Sequence, residues 1–130
     1  MTSSVVLTVA DWCILLAGLI VPFVFTVYAK ANKGFDNAKP REYMAQLEGA
    51  RKRASWAVQN GYETFPLFVA AVLLAERAGV VQSTVDMLAV GFVVSRVVYG
   101  VLYMLDQATL RSVVWMASMA CVVSLFVFAA

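Results

Sequence analysis

Long apolar runs alternate with short polar segments along the whole chain. Four runs have the length of a membrane span, at residues 12–29, 54–75, 87–105 and 110–130. A helix that crosses a bilayer needs about 20 apolar residues, with a range of about 17–25. Polar stretches that look helical extend some of the runs. The pattern therefore predicts four helices, at about residues 5–29, 41–77, 85–105 and 109–129.

The composition supports a membrane protein. Hydrophobic residues make up 62% of the chain and charged residues 14%, whereas globular domains are about 45–50% apolar and about 25% charged. The chain of 130 residues has room for one small bundle, so we expect a single domain over residues 1–130. Short loops make neighbouring helices antiparallel. The predicted fold is all-α, an integral membrane antiparallel four-helix bundle.

The basic residues are concentrated in the first polar segment. Residues 30–53 contain most of the ten lysines and arginines, whereas the second loop has Arg77 alone. Basic loops stay cytoplasmic, so the first and third loops are expected in the cytoplasm and both termini outside. Such a cluster is also suited to acidic lipid headgroups, but the topology signal is the preferred interpretation. The net charge of +2 gives no indication of a nucleic-acid partner.

Polar side chains inside the apolar runs mark a candidate site. Asn60 and Glu63 are three residues apart, which places them on one face of a helix. Arg96 is the basic residue in the interior of another apolar run, whereas Arg111 stands at the start of the last run. Glu63 and Arg96 each lie about 15 Å inward from their loops. The converging set comprises Asn60, Glu63, Arg96, Tyr99, Tyr103 and Arg111.

This set has two interpretations. Glu63 and Arg96 would form a buried ion pair that fixes helix packing, or the set would bind a ligand. Two arginines against one carboxylate favour an anionic ligand. Histidine is absent, and Cys13 and Cys121 lack the spacing of a metal site, so they are expected to be small buried hydrophobic residues and no metal is predicted.

Two motifs resemble those of a known family. The first is Asn60-x-x-Glu63-x-Phe65-Pro66-Leu67-Phe68, and the second is Arg96-x-x-Tyr99-x-x-x-Tyr103 followed by Leu110-Arg111-Ser112. Both resemble motifs of the MAPEG family, the membrane-associated proteins of eicosanoid and glutathione metabolism. The form Arg53-Ala54-x-x-Ala57-x-x-Asn60 is similar to the bacterial branch.

The resemblance implies a function and a set of roles. It implies a homotrimer in membrane lipid, with active sites between subunits and glutathione as cosubstrate. Asn60, Glu63, Arg96, Tyr99 and Tyr103 would contact glutathione. Arg111 would be the catalytic residue that stabilises its thiolate, with Ser112 beside it. The expected activity is a glutathione-dependent transferase or peroxidase, in a bacterial inner membrane, acting on lipophilic small molecules that are electrophiles or hydroperoxides.

Two positions depart from the family pattern. Several glutathione-using members carry an arginine four residues before the motif asparagine, where this chain has Trp56. Trp115 stands where some members have a tyrosine near the site. These departures keep open a different thiol or anion as the ligand. They also keep open a non-catalytic protein on the MAPEG scaffold, either structural or lipid-binding.

Overall fold

The computed structural model of this protein describes residues 6–130, which are almost entirely helical. The helices are α1 (Val9–Lys30), α2 (Pro40–Ala45), α3 (Gly49–Arg77), α4 (Gln82–Met104) and α5 (Ala108–Ala129). No strand occurs among the described residues, so the all-α prediction is confirmed. The expected helix start near residue 5 lies outside the described residues.

Three of the helices are long and apolar enough to cross a membrane: α1, α4 and α5. α3 has 29 residues, which is ample length, but it does not have the same apolar character. Lys52 stands in its first turn, and Gln59 and Glu63 interrupt its apolar run. The chain is thus a membrane protein in which the most polar of the long helices contributes Asn60 and Glu63 to the candidate site.

The main core lies where α1, α3, α4 and α5 pack together, with buried residues from all four helices. Phe68 of α3 and Phe92 of α4 stack with their ring centroids 4.0 Å apart. Val72 and Leu125 are fully buried in the same cluster. Many other large apolar side chains point outward, for instance Phe23, which is 61% exposed, as expected of surfaces that contact lipid.

α1 begins with a capping box and contains one widened turn. Thr8 Oγ1 accepts from the Asp11 backbone N–H, and Asp11 accepts from the Thr8 N–H, both at 3.0 Å, which satisfies two free donors of the first turn. The π-helical turn at Leu16–Ile20 ends two residues before Pro22, which cannot donate to the helix ladder. The backbone of α1 therefore widens locally just before this proline.

The segment before α3 corrects a prediction. A continuous helix was expected over residues 41–77, but the chain leaves α2 after Ala45 and starts α3 at Gly49. Leu47 turns inward and is 8% exposed. Gly49 has φ +66°, a left-handed conformation that glycine adopts without the strain of a side chain. Burial of Leu47 and this turn redirect the chain.

The basic residues at the start of α3 bind the C-terminal ends of other helices. The side chains of Arg51, Lys52 and Arg53 each donate hydrogen bonds to backbone carbonyls: Arg51 to Tyr28 of α1, Lys52 to Met44 and Ala45 of α2, and Arg53 to Met104 of α4. The last carbonyls of a helix have no partner within it, and cationic side chains satisfy them well. Three consecutive residues thereby hold three helix ends together.

The helix starts of α5 and α4 differ in how side chains bind them. A threonine or aspartate cap is typical of such a helix start, but Gln107 occupies the cap position of α5 without a side-chain hydrogen bond, and Asp106 has φ +60° in the turn. At the other end of the helices, Gln82 donates to Glu76 at 3.1 Å and to Asp86 at 2.8 Å. This amide links the end of α3 to the start of α4.

Candidate functional site

Arg96 is buried on α4 and is held by α3. The residue is 6% exposed, and its Nη2 donates to Asn60 Oδ1 at 2.9 Å. Its guanidinium carbon also lies 4.2 Å from the centre of the Tyr99 ring. A cation over an aromatic face is attracted by the ring quadrupole. The amide and the ring thus fix Arg96, and Arg96 in turn fixes the orientation of Asn60.

The ion pair between Glu63 and Arg96, one of the two interpretations of the sequence, is absent. Within residues 6–130, the single ion pair joins Lys39 and Glu42, at 4.0 Å and on the surface. Glu63 is exposed, whereas Arg96 is enclosed and donates to Asn60, one turn earlier on α3. The structure thus does not contain the buried ion pair that was one of the two interpretations. The Glu63 carboxylate remains accessible.

Arg111 on α5 packs against an aromatic ring of α4. Its guanidinium carbon lies 4.3 Å from the centre of the Tyr103 ring. The Tyr103 and Tyr99 rings meet edge to face, with centroids 5.6 Å apart. The four side chains therefore contact one another in the order Arg96, Tyr99, Tyr103 and Arg111. A buried cation lies at one end of this row and a partly exposed cation at the other.

Two adjoining grooves, together called the site groove, are built on these residues. The first encloses about 470 Å³ between α3 and α4 and is lined by Trp56, Gln59, Asn60, Glu63, Tyr99 and Tyr103. The second encloses about 390 Å³ toward α5 and is lined by Asn60, Tyr99, Arg111, Ser112, Trp115 and Met116. Asn60 and Tyr99 belong to both, so they form the wall where the two grooves meet.

The structure brings together all but one of the expected site residues along this surface. The exception is Arg96, which lines neither groove. It donates a hydrogen bond to Asn60, which lines both. A space of about 20 Å³ beside Arg96 is lined by the rings of Phe25 and Phe65 and by Gly100. Arg96 is therefore placed to position groove residues rather than to line the groove.

Two groove residues were missed by the sequence analysis. Gln59 lines the first groove and Met116 the second. The signal for Gln59 was present, because it follows Trp56 by three residues and precedes Glu63 by four, which is the spacing of one helical face. Met116 had no such signal, since most residues of α5 are apolar and one apolar residue there does not stand out.

The basic residues near the site groove differ in whether they can contact a ligand there. Arg111 and Glu63 are the only formally charged side chains that line it. Arg53, the arginine nearest to Trp56 in the sequence, donates through Nε and Nη2 to the Met104 carbonyl at 3.2 and 3.0 Å. Trp56 itself packs against Tyr103, with ring centroids 6.2 Å apart. Within one chain, Arg111 is therefore the cation that a ligand in the groove meets.

Comparison with known proteins identifies a family. The family model described as the MAPEG family matches residues 9–130, which is nearly the whole described chain and includes every residue of the site groove. No curated protein and no solved structure gives a significant match.

Proposed function

Because the chain belongs to the MAPEG family, as its motifs had indicated, we propose that it is a membrane-bound glutathione-dependent transferase or peroxidase. Its substrates would be lipophilic electrophiles or hydroperoxides. One observation carries the proposal. Arg111 lies in an open groove with its guanidinium on Tyr103, and it forms no ion pair with any described residue.

A cation in this position suits thiol chemistry. A cysteine thiol is mostly protonated near neutral pH, and a nearby positive charge lowers its pKa. The thiolate is the reactive nucleophile. In a transfer reaction, its sulfur forms a bond to the electrophilic carbon, and the displaced group leaves with the bonding electron pair. In a peroxidase reaction, it attacks the O–O bond, the alcohol is released, and a second glutathione converts the sulfenic acid to a disulfide and water.

The other groove residues suit the remaining groups of the tripeptide in part. Glu63 is an exposed carboxylate for the glutathione ammonium group, and Asn60, Tyr99, Tyr103 and Ser112 offer polar groups along the groove. Glutathione also has two carboxylates. With Trp56 in the motif position and Arg53 bound to Met104, a single chain lacks a second basic residue in the groove.

A homotrimer with sites between subunits would complete the groove. In our proposal the four long helices form an antiparallel transmembrane bundle, and a neighbouring copy supplies a basic side chain to the ligand carboxylate. A transmembrane α3 needs such cover, because its polar face is costly in contact with lipid. We place the protein in a bacterial inner membrane, with the first and third loops in the cytoplasm and both termini outside.

The second candidate is a non-catalytic protein, either structural or lipid-binding, on the same scaffold. Trp56 favours it, since a tryptophan cannot bind a carboxylate by charge. Under this alternative, Arg111 and Tyr103 would contribute only to packing between α4 and α5.

Calorimetry and turnover assays separate the two candidates. Purified protein in detergent is expected to bind glutathione and to consume it when offered a panel of lipophilic electrophiles and hydroperoxides. Arg111→Ala should lower the rate by about a hundred- to a thousandfold, the usual effect of losing an electrostatic contact to the reacting atom. Binding without turnover, or the absence of binding, would favour the non-catalytic candidate.

A further inference from the structure

A separate groove, distinct from both parts of the site groove, lies on the other side of Trp56 and Gln59. It runs between α2 and α3, encloses about 550 Å³, and is lined by Arg41, Met44, Lys52, Trp56, Gln59 and Tyr62, among others. We call it the α2–α3 groove. The site groove shares Trp56 and Gln59 with it but none of its basic residues.

The charge in the α2–α3 groove is entirely positive. Arg41 and Lys52 are the only formally charged residues in its lining. Arg41 is exposed, and in the described part of the chain its side chain makes no hydrogen bond or ion pair. Lys52 donates to the Met44 and Ala45 carbonyls at 3.1 and 3.0 Å. An ammonium group has three donors, so one remains for an anion.

The neighbouring basic residues are not available in the same way. Arg51 and Arg53 do not line this groove, and their side chains point to backbone carbonyls of α1 and α4. Arg41 and Lys52 are therefore the basic residues that face the α2–α3 groove, and Lys52 does so while it also holds the end of α2. The positive-inside pattern alone does not require such a groove.

The rest of the lining suits the boundary between headgroups and acyl chains. Trp56 is 44% and Tyr62 56% exposed, and the Lys52 ammonium lies 5.9 Å from the Trp56 ring centre. Exposed tryptophan and tyrosine side chains are typical of the membrane interface. The groove is thus basic at the end toward α2 and aromatic farther along α3, in the order in which a phospholipid presents its phosphate and its chains.

We propose that the α2–α3 groove binds an anionic phospholipid, with its phosphate between Arg41 and Lys52 and its upper acyl region against Trp56 and Tyr62. Each basic residue near an anionic lipid surface contributes binding equivalent to about fivefold in affinity. The site is independent of the proposed glutathione chemistry, because it uses different charged residues. Trp56, however, forms a wall of both grooves, so an ordered lipid would hold this side chain in place beside the site groove.

Native mass spectrometry of the full chain from detergent micelles tests the proposal. The protein is titrated with phosphatidylglycerol or phosphatidylcholine, and retained lipids are counted. Wild type should retain phosphatidylglycerol preferentially. Arg41→Gln should weaken this retention about fivefold, and Arg41→Gln/Lys52→Gln further. Arg41→Gln removes no internal hydrogen bond, so its effect does not depend on a change in folding.

The matched control is Lys33→Gln/Lys39→Gln, which removes the same charge from the same basic segment, residues 30–53, outside the groove. It should retain phosphatidylglycerol as the wild type does. Equal retention of both lipids by the wild type would overturn the proposal, as would equal losses in the two double variants. Competition by glycerol phosphate as strong as by lipid would show a site for soluble anions instead. Loss of oligomer mass without loss of lipid in Arg41→Gln would assign the groove to a second copy of the chain.

Discussion

Arg96 is a buried cation whose closest polar partner is an amide. Its hydrogen bond to Asn60 and its contact with the Tyr99 ring offset part of the cost of burying its charge. Its Nη1 atom has no hydrogen-bond partner among the described residues. Asn60 therefore has two roles, since it lines the site groove and also satisfies Arg96.

This arrangement predicts different effects for two neighbouring substitutions. Asn60→Ala should destabilise the protein by about 1–3 kcal/mol, because it leaves a buried donor without its acceptor. Glu63→Ala should leave thermal unfolding in detergent nearly unchanged and should weaken glutathione binding, because the Glu63 side chain is exposed and unpaired. An equal fall of the unfolding temperature in Glu63→Ala and in Asn60→Ala would contradict the statement that Glu63 has no partner in the fold.

The residue types of the site were predictable, but their pairing was not. Helical spacing placed Asn60 with Glu63, and the motifs pointed to Tyr103 and Arg111. Charge alone suggested that Glu63 pairs with Arg96. Helical depth is known from the sequence only to about one turn, and Asn60 and Glu63 differ by less than one turn, so spacing could not distinguish an amide partner from a carboxylate partner.

At the scale of elements, two glycines let aromatic rings pack against helix backbones. A Cβ built on Gly100 of α4 would lie 2.3 Å from Cζ of Phe25, and one on Gly18 of α1 would lie 2.5 Å from Cζ of Phe65. Phe25 and Phe65 also line the small space beside Arg96. The contacts of α1 with α3 and α4 thus depend on positions where only a hydrogen fits.

Gly100→Ala is therefore expected to destabilise the protein by about 1–3 kcal/mol, the usual cost of overpacking. Gly61→Ala is the matched control, because its Cβ would meet only Arg96 Nη2 at an ordinary 3.8 Å, and alanine favours a helix over glycine. Thermal unfolding in detergent measures both. A Gly100→Ala/Phe25→Leu variant should recover stability, and failure to recover it would show that the ring of Phe25 is not the obstacle.

The element boundaries were predictable where apolar periodicity determines them and not where tertiary contacts do. The apolar runs gave α4 and α5 to within a few residues. The break before α3 was missed because residues 41–47 look helical, and burial of Leu47 together with the backbone of Gly49 depends on the rest of the fold. The capping roles of Arg51 and Arg53 were missed for the same reason, since their acceptors lie in distant helices.

At the scale of the whole molecule, the outer surface is mostly apolar while α3 exposes polar groups. Glu63 and Gln59 are exposed on the same helix as Leu67 and Leu73. In a bilayer, such a face is covered by water or by protein rather than by lipid. Association of several copies would cover it and would also bring basic residues of one chain toward the site groove of another.

We expect the purified protein to be a homotrimer. Native mass spectrometry from detergent micelles should give three times the mass of the 14.2 kDa chain, and the same species should bind glutathione. A monomer or dimer that binds glutathione as tightly would contradict the proposal that a neighbouring subunit completes the site.

The central claim is that Arg111 stabilises the thiolate of bound glutathione. The most direct test is the ultraviolet absorbance of that thiolate, titrated against pH in wild type and in Arg111→Ala at saturating glutathione, with saturation verified by calorimetry. Because a cation favours the deprotonated sulfur, the wild type should show a thiol pKa at least about one unit below the usual value of about 8.5. Arg111→Ala should return it toward that value, and Arg111→Lys should lie between them. An unchanged thiol pKa in Arg111→Ala, with glutathione still bound, would contradict the account.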